Sequence, residues 1–175
     1  IQKYVKVMVG PMAHSALDDF VERFSAVLRD SGIPPMPARI FAYVLGRGRR
    51  SDTAAELAEA TGASPAAVSG AVNYLIGQGM LEGHRGKDRR HHYRLPPGDL
   101  WADMIARRQA VLVRWYESLE AAAADLGREQ EDHGVPLERG AMFFAFMAQE
   151  IPGMLARWEA YRDARLDDGG ARSDP

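Results

Sequence analysis

Residues 53–77 read TAAELAEATGASPAAVSGAVNYLIG and decide the fold. Thr53 and Glu56 have the spacing of a capping box, in which a hydroxyl and a carboxylate each satisfy an unpaired amide at a helix start. The helix that follows is predicted to end at Thr61, because Gly62 suits the left-handed backbone that often closes a helix. This segment therefore predicts a short helix with two defined ends.

A second helix is predicted directly after the glycine. Ser64 is a preferred N-cap and Pro65 suits the first helical position, so this helix is expected to run to about Gly77. Two short helices joined by a brief turn that contains a glycine are typical of a helix-turn-helix. The side chains of the second helix expected to face the core are Val68, Val72 and Leu75.

The outer face of the second helix carries small or polar side chains, and such a face can approach a DNA major groove closely. The residues of this helix that we predict to contact DNA are Ser64, Ala66, Ala67, Ser69, Gly70 and Asn73. An ordinary helical hairpin with a surface of small residues is the alternative explanation.

A β-hairpin is predicted next in the chain. Residues 80–85 form its first strand, residues 86–88 its turn and residues 89–95 the returning strand. A hairpin that follows a helix-turn-helix and carries basic side chains at its tip is a wing, and such a tip can enter a narrow minor groove. The predicted DNA contacts of the wing are Arg85, Lys87, Asp88, Arg89 and Arg90. A solvated basic loop is the alternative explanation.

Three histidines near this tip raise the question of a metal site. They are His84, His91 and His92. Adjacent residues on a strand point to opposite faces, so His91 and His92 cannot easily share one ion. With no cysteine and few convergent carboxylates, we expect no metal site, and we expect phosphate contact or surface exposure for these side chains.

The composition of the 175 residues excludes several classes of protein. Its 22 Lys and Arg and 24 Asp and Glu give a net charge of −2, so the chain is not a polycation, although residues 82–94 are locally basic. It has no cysteine, which excludes a disulfide scaffold. It has neither an apolar run long enough to span a membrane nor a recognisable catalytic motif. We therefore expect a cytoplasmic protein without a cofactor or membrane contact that is not an enzyme.

Two long helices are predicted after the wing. The first spans about residues 99–126 and has a heptad-like seam. Residues 127–136 are predicted to be a polar connector. The last helix spans about residues 137–166, is rich in Met and aromatic side chains, and is expected to be kinked or divided by Pro152. The seam residues of the first helix are Trp101, Ile105, Arg108, Leu112, Trp115 and Leu119.

From residue 15 to residue 166 the order of elements resembles the MarR family of bacterial transcription regulators. The resemblance rests on the T-A-A-E-L-A start, Gly62, S-P-A-A-V-S and the L-I-G-Q-G-M-L-E exit into the wing. It also rests on D-R-R at residues 88–90, because Asp-x-Arg in the wing is a signature of this family. The signature maps onto Asp88 and Arg90, and the resemblance implies that Arg90 reaches DNA while Asp88 orients it.

The predicted fold is mostly α with a small β-hairpin wing, a winged helix-turn-helix plus a helical dimerisation region. The resemblance implies a sequence-specific, ligand-responsive repressor that binds a pseudo-palindromic operator in double-stranded DNA as a homodimer. Efflux or lipid-export genes are candidate targets. The implied effector is an apolar or acidic small molecule in a cleft between the dimerisation and DNA-binding regions. Its candidate contacts are Phe20, Phe24, Trp101, Arg108 and Leu112.

The resemblance also suggests a division of the chain. The predicted parts are a possible tag or disordered N-terminus at 1–14, an N-terminal dimerisation helix at 15–34, the winged helix-turn-helix domain at 35–97, C-terminal dimerisation helices at 98–168 and a disordered tail at 169–175. Two alternative functions stay open at this point. One is a winged-helix protein-interaction module that binds no DNA, and the other is a helical protein that binds or converts a small molecule.

Overall fold

The structure, a computed structural model, describes residues 15–129 and 131–170. The chain forms two compact units, and the boundary falls between Pro96 and Pro97. Helices dominate both units, and a small antiparallel sheet belongs to the first, so the predicted fold class is confirmed. The expected tag or disordered segment at 1–14 lies outside the described residues.

Two helices open the first unit. α1 spans Ala16–Asp30 and α2 spans Pro35–Arg47. α2 begins at Pro35, because proline is tolerated in the first turn of a helix. A Cβ added to Gly46 would lie only 2.5 Å from Cδ1 of Leu17. The absence of a side chain there allows α1 and α2 to pack closely.

The predicted helix-turn-helix is confirmed. α3 spans Ala54–Thr61 and α4 spans Pro65–Gly77. Thr53 and Glu56 form the capping box, and Gly62 ends α3 with φ 65° and ψ 24° in the left-handed region. Fully buried side chains from α2, α3, α4 and the segment before the wing build the core of this unit. They are Ile40, Phe41, Val44, Leu57, Val68, Val72, Leu75 and Leu81.

A three-stranded antiparallel sheet completes the first unit. β1 spans Asp52–Thr53, β2 spans Glu82–Arg85 and β3 spans His91–Arg94, in the spatial order β1-β3-β2. The sequence prediction missed β1, because a strand of two residues shows no alternation of polar and apolar side chains. The wing is therefore attached to the helices through a third strand.

Both strands of the wing are shorter than predicted. β2 begins at Glu82 rather than at residue 80, because Met80 and Leu81 are buried in the core. β3 begins at His91 rather than at residue 89. Arg89 has a φ of 64°, which interrupts the extended backbone, so Arg89 and the residue after it belong to the turn.

Two long helices form the second unit. α5 spans Leu100–Glu129 and α6 spans Glu131–Gly170. The predicted connector at 127–136 was wrong, because residues 127–129 belong to the end of α5 and residues 131–136 to the start of α6. The helix also includes residues 169–170 of the expected disordered tail, and residues 171–175 lie outside the described part. No helix of that part has the length and apolar character needed to cross a membrane.

The last helix continues through Pro152, so of the expected kink or division the division does not occur. A proline inside a helix removes one main-chain hydrogen bond and costs about 3 kcal/mol. The bond that Pro152 cannot make would have ended on the carbonyl oxygen of Ala148. The side-chain amide of Gln109, on α5, donates to that oxygen at 3.1 Å instead. Ala148 and Ile151 also pack against Leu112 of α5, which supports the helix next to the proline.

Replacing Gln109 by leucine is expected to lower the free energy of unfolding by about 1–3 kcal/mol, because the carbonyl of Ala148 is left unpaired. Pro152→Ala restores a main-chain donor for this carbonyl and should cancel most of that loss in the double variant. Urea unfolding of both single variants and the double variant measures the coupling. Strictly additive effects would contradict the compensating role of Gln109.

The heptad-like seam of α5 is divided between two faces. Leu112 is buried against α6 and Leu119 is half-buried, whereas Trp101, Ile105 and Trp115 are exposed. On α6 the small residues Ala141 and Ala148 are buried, and most of the large apolar residues remain open to solvent in the single chain. These exposed residues of α6 are Met142, Phe143, Phe146, Met147, Met154, Trp158 and Tyr161.

Candidate nucleic-acid interface

The outer face of α4 is exposed to solvent and carries small side chains. The hydroxyl of Ser64 accepts the amide of Ala67 at 3.3 Å and so defines the start of the helix. All the predicted contacts of this helix are exposed except Ala67, which is half-buried. A Cβ added to Gly70 would meet no atom of a neighbouring element within 4 Å. Because the opposite face is buried in the core, the rotation of α4 is set by packing, and the small-residue face is the one presented to solvent.

The tip of the wing is a tight turn over residues 86–90. The amide of Gly86 donates to the carbonyl of Arg90 at 2.8 Å, and the amide of Arg89 donates to the carbonyl of Gly86 at 3.0 Å. Arg89 adopts the left-handed conformation, which is uncommon for a residue with a side chain. The exposed cationic side chains near this tip are Arg85, Lys87, Arg89 and Arg90. Such a group of cations on one hairpin attracts phosphate.

Asp88 organises this turn. Its carboxylate accepts the main-chain amide of Arg90 at 3.1 Å, and both of its oxygens lie 3.0 Å from Nε2 of His92. The Arg90 amide first and the His92 imidazole second lower the pKa of Asp88. The hydrogen bond between Asp88 and Arg90 thus involves the main-chain amide of Arg90. Sequence reasoning gave His92 no structural role, although an Asp and a His four residues apart across a turn were a signal for it.

A buried ion pair lies at the base of the wing. Asp52, in β1, is 1% exposed, and its Oδ1 lies 3.2 Å from Nη2 of Arg47 at the end of α2. Arg47 also donates to the hydroxyl of Tyr43 at 2.6 Å. Burial raises the pKa of Asp52, and the charge of Arg47 opposes that rise. Since Asp52 pairs with Tyr93 of β3, this ion pair connects the wing to α2.

The predicted effector contacts are distributed over both units. Phe20 and Phe24 stack on each other along α1 with their ring centroids 5.4 Å apart. Trp101 and Arg108 are exposed on α5, and Leu112 is buried between α5 and α6. Each group belongs to a single unit, two residues in the first and three in the second.

Two family models match the chain. A model of the MarR family matches residues 31–91, which hold α2, the helix-turn-helix and most of the wing. A model described as an MmpR5-like MarR family transcriptional regulator matches residues 99–161, which lie in α5 and α6. Together the matches span more than half of the chain. No curated protein is significantly similar to it.

The chain is similar to several solved structures. One, described as a transcriptional regulator, is 21% identical, with 83% of this chain and 99% of the other covered and a TM-score of 0.76. MepR, a transcription regulator of the Staphylococcus aureus multidrug efflux pump MepA, is 13% identical over 89% of this chain and 91% of its own, with a TM-score of 0.38. The adhesin competence repressor AdcR of Streptococcus pyogenes is 19% identical over 77% and 94%, with a TM-score of 0.35.

The similarity to the first structure supports the fold alone. The similarities to the other two support no conclusion, because their TM-scores are low. The family matches carry more weight, because they fall on the two parts of the chain that the structure separates. The first part contains the helix-turn-helix and the wing, and the second contains the paired long helices. This chain belongs to the MarR family of transcription regulators.

Proposed function

We propose that this protein is a sequence-specific DNA-binding repressor that acts as a homodimer and responds to a small ligand. One observation carries the proposal: a single compact unit combines the open, small-residue face of α4 with a wing whose exposed tip is cationic. Each feature suits a different part of the duplex, since a helix fits the major groove and basic side chains at a narrow tip suit the minor groove or the phosphates.

In this proposal α4 is the recognition helix. Its first turn, capped by Ser64, lies nearest the base edges. Ser69 and Asn73 are the polar side chains on its exposed face, and an Asn amide can bond both N6 and N7 of adenine. Ala66 and Gly70 let the backbone approach the groove. The wing supplies Arg90 and its basic neighbours for minor-groove or phosphate contact.

The homodimer is supported by the large apolar side chains that a single chain leaves exposed. Trp101, Ile105 and Trp115 of α5 and the Met and aromatic residues of α6 remain open to solvent. Exposed apolar surface on this scale is typical of an interaction site. Two recognition helices related by a two-fold axis read half-sites about 34 Å apart, which corresponds to a pseudo-palindromic operator.

The effector in this proposal is an apolar or acidic small molecule. Such a ligand weakens DNA binding only if its affinity differs between the DNA-competent spacing of the recognition helices and another spacing. Genes for efflux or lipid export are the proposed targets.

The test is DNA binding by the Arg90→Ala variant. We expect its affinity to fall by about tenfold or more and the dependence of log affinity on log salt to become shallower by about one unit, because one cation–phosphate or cation–base contact is lost. Fluorescence anisotropy with DNA from the region upstream of the gene, at two salt concentrations, measures both quantities.

Arg114→Ala is the matched control, because it removes the same charge from an exposed position on α5. We expect this variant to bind as the wild type does. Equal losses in the two variants would indicate a general charge effect and would contradict the assignment of the wing.

A further inference from the structure

His92 occupies a central position on one face of the wing. It lies on β3 directly opposite His84 of β2, and the two imidazole rings stack with centroids 5.6 Å apart. His92 is half-buried, whereas the adjacent His91 is exposed. The ring of His92 therefore has a defined place within the sheet rather than a free position in solvent.

The contact between His92 and Asp88 is closely packed. Nε2 of His92 lies 3.0 Å from each oxygen of the Asp88 carboxylate. A Cβ added to Gly86 would lie 2.5 Å from Oδ1 of Asp88 and 2.7 Å from the His92 ring. Only glycine fits at this position while the two side chains keep their contact.

Hydrogen bonds connect this contact to the basic tip of the wing. The carboxylate that His92 holds accepts the amide of Arg90, and the carbonyl of Arg90 accepts the amide of Gly86. Between these bonds Arg89 is held in the left-handed conformation. A strained residue of this kind persists only where the surrounding bonds over-determine it. We propose that His92 is a positioning residue for DNA recognition, which holds Asp88 and thereby the main chain that presents Arg89 and Arg90.

Two further carboxylates interact electrostatically with His92: Asp52 on β1 and Glu56 on α3. The bond between His92 and Asp88 is charge-assisted, because the acceptor is an ionised carboxylate, and such a bond is stronger than one between neutral groups. Loss of this bond should therefore loosen the turn and lower DNA affinity.

The inference rests on the proposed function, so the experiment uses a genomic DNA fragment that the wild-type protein selects. Anisotropy titrations at one pH compare the wild type with His92→Ala, His92→Gln, Gly86→Ala and His91→Gln. Gln places an amide donor near the position of Nε2, so it restores a bond to Asp88 without the imidazole. Urea unfolding confirms that each variant is folded.

We expect His92→Ala and Gly86→Ala to weaken binding by about tenfold. His92→Gln should bind nearly as well as the wild type, because its amide can donate to Asp88. His91→Gln should bind as the wild type does, because His91 lies outside the contact.

Two results would overturn the inference in distinguishable ways. If the wild type selects fragments and His92→Ala binds them with wild-type affinity, His92 has no positioning role and the proposed function stands. If the wild type selects no fragment, the proposed function fails, and a role of His92 in DNA recognition fails with it.

Discussion

Gly70→Glu is expected to lower the affinity for operator DNA by about 100-fold or more, because it places bulk and negative charge on the face of α4 that we propose meets the major groove. Gly70 is exposed and lies between Ser69 and Asn73 on the predicted contact surface. The carboxylate would face phosphates and base edges across the space that the small residues leave. Anisotropy with a selected DNA fragment measures the loss.

Gly70→Ala is the matched control for this substitution. A Cβ at position 70 meets no neighbouring element within 4 Å, and alanine is more stable than glycine inside a helix by about 0.5–1 kcal/mol. We therefore expect the alanine variant to be at least as stable as the wild type and to bind DNA far better than the glutamate variant. A folded Gly70→Glu protein that bound DNA with wild-type affinity would show that α4 is not the recognition helix.

Asp52→Ala is expected to lower the free energy of unfolding by about 3 kcal/mol, because it removes one partner of a buried ion pair. The side chain of Arg47 is 27% exposed, which places the loss at the low end of the range for such pairs. The variant also leaves Arg47 without a carboxylate and removes a buried side chain from the base of the wing. Urea unfolding at neutral pH measures the change.

Asp52→Asn removes the charge of the side chain and keeps nearly the same shape, so it measures the effect of the charge alone. Burial raises the pKa of Asp52, so the folded protein takes up this proton more readily than the unfolded chain. The contribution of Asp52 to the free energy of unfolding therefore increases as the pH falls from the raised pKa of Asp52 in the folded protein toward its pKa in the unfolded chain. We expect asparagine to lower the free energy of unfolding less than alanine does, and we expect the difference between the wild type and Asp52→Asn to widen as the pH falls. An alanine variant as stable as the wild type would contradict a structural role for this pair.

Local sequence signals predicted the helix-turn-helix well, because each end of its helices is set by residues next to it in the chain. Thr53 with Glu56, Gly62, and Ser64 with Pro65 act over at most a few residues, and the structure confirms each of them. The outward orientation of Gly70 followed from the helical period, since Val68, Val72 and Leu75 were assigned to the core.

Contacts between residues far apart in the sequence could not be predicted from local signals. Pro152 predicted a kink or a break in α6, and the position of Gln109 on another helix explains why the carbonyl of Ala148 still has a donor. The ion pair of Arg47 and Asp52 and the third strand also depend on residues brought together by folding. His92 was read as a surface or phosphate-binding residue, because its contact with Asp88 depends on the left-handed turn at Arg89.

The central claim is that this chain reads DNA sequence with α4 and its wing, and selection of genomic fragments tests it most directly. Sheared DNA from the genome that encodes the chain is incubated with purified protein, and the bound fragments are sequenced beside a Gly70→Glu control. We predict that the wild type enriches a small set of fragments that share an inverted repeat with half-site centres about one helical turn apart. Enrichment should be absent in the control. A wild-type pool indistinguishable from the input DNA would contradict the claim.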